Sequence, residues 1–146
     1  MTTTLVHPLR VFLAEDNRAD VYLVELALKE EDLPFTMRLA CDGEEALRAV
    51  AAFGETEPVP DIALLDLNLP RHDGDQVLRS LRDHPHCATT PIVIMTSSDS
   101  VRDRDTAGQY QAVFFSKPSD LTGFLELGRL VKTLCEQRQG VSVTAG

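Results

Sequence analysis

The chain has 146 residues, 43% of them hydrophobic, and a formal net charge of −9 from 23 acidic against 14 basic side chains. That is about one domain with enough apolar residues for a core, and its acidic balance without any run of Lys or Arg argues against nucleic acid or an anionic membrane as a partner. Nowhere do ~18 apolar residues run together or follow a basic N-terminus, so no membrane span or leader is read and a cytoplasmic protein is expected.

In chain order, LRVFLAED (residues 9–16) is a short strand closing on two acids, and ADVYLVELALKEED (19–32) is long and amphipathic enough for a helix. FTMRLA (35–40) alternates as a strand, DGEEALRAVAAFG (42–54) reads as a helix ending on Gly54, and DIALLD (61–66) is a continuous apolar strand. DGDQVLRSLRDH (73–84) is helical, PIVIMT (91–96) is a buried strand, and DSVRDRDTAGQY (99–110) is a more polar helix. AVFFS (112–116) supplies a fifth strand, and SDLTGFLELGRLVKTLCEQRQ (119–139) a last helix capped by Ser119 or Asp120. Strands too apolar to face water, alternating with helices, predict a doubly wound α/β fold: a five-stranded parallel sheet in the flavodoxin-like (βα)5 arrangement, order 2-1-3-4-5. Cys41, Cys87 and Cys135 lie far apart without a C-x-x-C pair, and are read as reduced thiols.

Open parallel sheets bind ligands beyond the carboxyl ends of their strands, where the strand order reverses. Strand one ends in Glu15 and Asp16, strand three in Asp66, strand four in Thr96, Ser97 and Ser98, and strand five runs into Lys117. Three carboxylates converging in one crevice repel, and a hard divalent cation with oxygen ligands relieves that repulsion. Asp16 and Asp66 are the expected side-chain ligands of Mg²⁺, with Glu15 acting through water and the Asn68 carbonyl as a third protein oxygen. Lys117 then provides counter-charge for an incoming anion, and Thr96 a hydroxyl. A carboxylate nucleophile, a metal, a lysine and a hydroxyl are the parts that in-line phosphoryl transfer to an aspartate requires.

LAEDN, LLDLNLP, VIMTSS and FSKP, with their key residues 16, 66, 96 and 117 separated by 50, 30 and 21 positions, resemble the receiver domains of two-component response regulators. The resemblance covers residues 9–138, leaving 1–8 and 139–146 as tails without an effector domain. It implies Asp66 as the phosphorylation site, Glu15 and Asp16 as the Mg²⁺ pair, Thr96 as the switch hydroxyl, Lys117 as the site lysine and Phe114 as the switch aromatic. It also implies that Asn68 and Ser98 tune dephosphorylation, and that the Lys117–Pro118 bond is cis. The chain would then be a single-domain phospho-acceptor whose only catalysis is its own phosphorylation and dephosphorylation, not a conventional enzyme. Its partner would be a sensor histidine kinase, docking on the first helix around Tyr22 and Leu26. EDNRADVYLVELAL and DLNLPRHDG are similar to the regulators that partner bacterial and cyanobacterial phytochromes. Two departures stand out: Phe114 lacks the hydroxyl of the more usual Tyr, and GQYQA replaces the usual Gly-Ala before strand five.

Other readings of the same residues are a degenerate receiver or flavodoxin-like binding module, and a haloacid-dehalogenase-type phosphatase. The acidic AEDNRAD would repel a flavin phosphate, and Asn68 stands where such a phosphatase carries a second acid. DHPHC (83–87) is read as a plain connection rather than a metal site. On the last helix, Leu121, Phe124, Leu125, Gly128, Val131 and Cys135 form the expected core arc. Leu127, Leu130 and Leu134 lie beyond it and are expected to pair two copies of the chain as a homodimer.

Overall fold

The computed structural model describes residues 7–71, 74–97 and 100–139, so the expected tails fall almost wholly outside the described residues, as does Ser98. Within them the apolar runs form strands β1 (Leu9–Ala14), β2 (Phe35–Ala40), β3 (Ile62–Asp66), β4 (Ile92–Thr96) and β5 (Val113–Ser116). Between and after them lie helices α1 (Arg18–Glu30), α2 (Gly43–Ala52), α3 (Gly74–Asp83), α4 (Val101–Gln109) and α5 (Leu121–Gln139). All strand pairs are parallel and the order is β2-β1-β3-β4-β5, as the alternation predicts.

Successive strand side chains point to opposite faces, and this period divides the core in two. Leu9, Val11, Leu13, Ile62, Leu64, Val93 and Met95 pack with Val24 and Leu28 of α1 and with Phe124, Leu127, Val131 and Cys135 of α5. Phe12, Ala14, Ala63, Leu65, Ile92 and Ile94 pack on the other face with α2, α3 and Ala107 of α4. β3 and β4 are buried throughout, which explains why they read as continuous apolar runs rather than alternating ones.

Helix starts are set by side-chain caps that satisfy otherwise orphaned amides. Asn17 accepts from the Asp20 amide, Asp42 from Glu45, and Ser100 from Asp103, so α4 begins two residues later than its polar sequence suggests. At α5 the two candidate caps resolve to Asp120, whose carboxylate accepts from the Gly123 amide at 2.8 Å.

Helix α5 removes one residue, Leu127, from the expected dimer face. Leu127 is fully buried, Leu130 and Leu134 pack half-buried against the same cluster, and Leu121, expected in the core, is 47% exposed. The cause is the close packing of α5 on α1: a Cβ at Gly128 would lie 2.3 Å from the Ala27 carbonyl oxygen. With only hydrogen on Gly128, α5 settles onto α1 with Leu127 turned inward. The described residues contain no cis peptide bond, so Lys117–Pro118 is trans. The Lys117 ammonium reaches its carboxylate partners with that geometry, and the trans isomer is the intrinsically favoured one.

Candidate functional site

Register brings the site together step by step. Ala14 is level with Leu65, so Glu15 and Asp66 come next on neighbouring strands. Asp66 is level with Met95, one residue before Thr96, and Thr96 is level with Ser116, one residue before Lys117. Glu15, Asp66 and Lys117 follow the residues that face α1 and α5. Thr96 follows Ile94 and shares with Phe114 the face covered by α4.

Asp66 is only 5% exposed, and both of its carboxylate oxygens are held. Oδ1 accepts from the Asn68 amide at 2.9 Å, and Oδ2 accepts from Lys117 Nζ at 3.0 Å. The loop after it doubles back tightly, with the Gly74 amide donating to the Leu67 carbonyl at 3.3 Å. Gly74 permits this, since a Cβ there would sit 2.5 Å from the Leu67 Cα. The Asn68 side-chain amide donates to Thr96 Oγ at 3.4 Å, linking the loop to β4. Thr96 is itself buried, and its carbonyl accepts from the Lys117 amide at 2.8 Å.

Glu15 lies deepest of the three acids. It is fully buried, with Oε1 2.6 Å from Lys117 Nζ and Oε2 accepting from the Asn17 amide at 3.2 Å. Burial, with the Asp66 charge adding to it, pushes the Glu15 carboxyl from 4.5 to about 7 despite Lys117. Burial works against the Lys117 charge as well, but hydrogen bonds to Asp20 and Glu15 and the fields of Asp66 and Glu15 prevail and raise its pKa. Lys117 is therefore a charged ammonium enclosed by acids, not a free cation facing the crevice.

The third acid around Lys117 was not among the expected site residues. Asp20 Oδ2 lies 2.8 Å from Nζ, brought there by the first turn of α1. Its signal in the sequence was an acid three residues after a capping Asn, at the start of the helix that covers the Glu15 face. Phe114 has an unforeseen partner too: the Arg104 guanidinium sits 4.5 Å from the ring centroid.

Glu15, Asp16 and Asp66 each offer a carboxylate oxygen, and these atoms lie within 4.8 Å of one another. Two buried carboxylates and one exposed carboxylate form a hard oxygen donor set suited to a divalent cation. His84 and His86 are not part of any such cluster among the described residues. Their short segment is a turn in which His84 Nδ1 accepts from the His86 amide.

Residues 11–127 match the response regulator receiver domain family. The chain belongs to that family. Response regulator Rcp1 of Synechocystis is 32% identical over 136 residues, spanning 92% of this chain and 86% of that protein. The receiver fold is also similar to the phosphorylated cyanobacterial phytochrome response regulator RcpA, with a TM-score of 0.80 and 27% identity over 90% of this chain and 96% of that one. The Mn²⁺-bound form of Rcp1 superposes with a TM-score of 0.78 and 27% identity, covering 94% of this receiver and all 100% of its counterpart. This receiver is a two-component response regulator domain, and among its described residues no helix is long and apolar enough to cross a membrane.

Proposed function

We propose that Asp66 accepts a phosphoryl group from a sensor histidine kinase, with Mg²⁺ bound by Glu15, Asp16, Asp66 and the Asn68 carbonyl. The observation that carries this reading is the buried Asp66 carboxylate, held between the Asn68 amide and Lys117, with the Asn68 side chain donating to the Thr96 hydroxyl. Bound Mg²⁺ would neutralise charge on the transferring phosphoryl oxygens. An Asp66 oxygen attacks phosphorus, the bond from phosphorus to the kinase histidine nitrogen breaks, and the imidazole leaves as an acyl phosphate forms. Lys117 then turns to the added oxygens, and Thr96 donates its hydroxyl to them. Movement of Thr96 is felt at Phe114, which shares its face of the sheet, and shifts the α4 and β5 surface between two states.

Intact mass after incubation with acetyl phosphate and Mg²⁺ tests the chemistry. The expected result is a gain of one phosphoryl group that is lost in Asp66→Asn and without Mg²⁺. Retention of the gain in Asp66→Asn would place the acceptor elsewhere.

The similarity to Rcp1 and RcpA supports a phytochrome-type histidine kinase as the donor. The docking site inferred on α1 has a suitable surface: Tyr22 is 61% exposed and lines a cleft of about 320 Å³ that begins at Glu15 and Asp16. Tyr22→Ala is expected to slow transfer from such a kinase by about tenfold while leaving labelling by acetyl phosphate intact. Equal slowing of both reactions would mean that Tyr22 supports the site rather than the partner.

A further inference from the structure

Three carboxylates crowd the Lys117 ammonium: it donates to Asp20 at 2.8 Å and to Asp66 at 3.0 Å, and pairs by charge with Glu15 Oε1 at 2.6 Å. Two of these acids belong to the oxygen cluster that fits a divalent cation, whereas Asp20 does not. With a cation on that cluster, Lys117 shares Glu15 and Asp66 with a double positive charge and is repelled by it. Asp20 is then the one partner whose attraction the cation does not contest.

Asp20 also has no local task that would explain its orientation. The cap of α1 is Asn17, and Asp20 contributes its backbone amide to that cap, leaving its carboxylate to Lys117. An acid in the first turn interacts favourably with the helix dipole wherever it points. Here it points across to β5, with its side chain only 20% exposed.

The geometry points to Asp20 as a positioning residue that keeps Lys117 at the phosphoryl-accepting carboxylate while a divalent cation is bound. This rests on the receiver chemistry proposed above and adds a fourth acid to it. Asp20 acts through Lys117, so its effect on metal binding depends on the lysine being present.

Mn²⁺ binding, followed by the electron paramagnetic resonance of the free ion, separates this role from that of a nearby charge. In the wild-type background Asp20→Asn is expected to weaken binding by about tenfold, because Lys117 then competes for Glu15 and Asp66. In a Lys117→Met background the same change is expected to cost about twofold or less, and Asp20→Glu to restore most of the loss. Equal loss in both backgrounds, or none in either, would overturn the proposal.

A second measurement needs no change at Lys117. A slowly exchanging Lys117 ammonium signal is expected in nitrogen-15 spectra of the wild type at saturating Mg²⁺ and is expected to be absent from those of Asp20→Asn. Its survival in Asp20→Asn would overturn the role. Wild-type protein that takes neither Mn²⁺ nor a phosphoryl group from acetyl phosphate overturns the receiver chemistry and this inference together. Wild-type protein that takes both, with equal losses in the two backgrounds, overturns the part played by Asp20 alone.

Discussion

At the scale of single residues the site is governed by the mismatch between burial and charge. Glu15 has no contact with water, and its carboxyl holds a proton up to about pH 7, against an ordinary value of 4.5. The folded chain therefore binds more protons than the unfolded chain between those two values, and the metal-free protein loses stability as pH rises through that window. Divalent cation binding favours the ionised form and has the opposite dependence. Below about pH 7 the apparent Mn²⁺ affinity is expected to fall by up to about tenfold per pH unit, as one proton must leave for each ion bound, and to level off above it. Titrations from acid to mildly alkaline pH check this, and an affinity that is flat across neutrality would mean that Glu15 is ionised before the metal arrives. Asp16, Asp66 and Lys117 were legible in the sequence because each ends or follows a strand. Asp20 was not, because its contribution depends on which face of the sheet α1 covers, and strand ends alone do not carry that information.

At the scale of elements, α5 shows where a periodic pattern stops being informative. Its apolar positions span more of the helix than one contact can cover, and the sequence fixes the width of that stripe without fixing its rotation about the axis. Rotation is decided by Gly128 against Ala27, a contact between a small residue and a backbone carbonyl that leaves no periodic trace. Leu127 consequently belongs to the core, and Leu127→Ala is expected to cost ~2–4 kcal/mol of folding stability in denaturant titrations. Its mass by light scattering should match that of the wild type; a changed oligomeric mass with little loss of stability would return Leu127 to an interface. A comparable long-range contact ties α3 to the loops flanking β4 and β5. Arg82 donates to the carbonyls of Tyr110 at 2.7 Å and Thr90 at 2.8 Å, and burial lowers its pKa. Nothing in an exposed-looking RSLRD segment announces that role, since the acceptors are backbone atoms from elsewhere in the fold.

For the whole molecule, the parallel sheet was legible because burial on both faces forces continuous apolar strands, and the position of the site followed from the rule about their carboxyl ends. The same architecture concentrates acids at one end of a chain with a net charge of −9. Glu15, Asp16, Asp20 and Asp66 meet there, and Lys117 offsets only part of their repulsion. A ligand that binds the native acid cluster and not the unfolded chain must stabilise the fold by mass action. At a hundred times its dissociation constant, Mg²⁺ is expected to add about 2.7 kcal/mol and to raise the melting temperature by roughly 5 to 10 °C. Sodium chloride at equal ionic strength screens the acids without bridging them, so it should give a smaller rise. Asp16→Asn combined with Asp66→Asn removes two of the three cluster carboxylates and should abolish the difference between the salts. A rise of the same size from either salt in the wild type would mean that general screening, rather than a built cation site, relieves this end of the molecule.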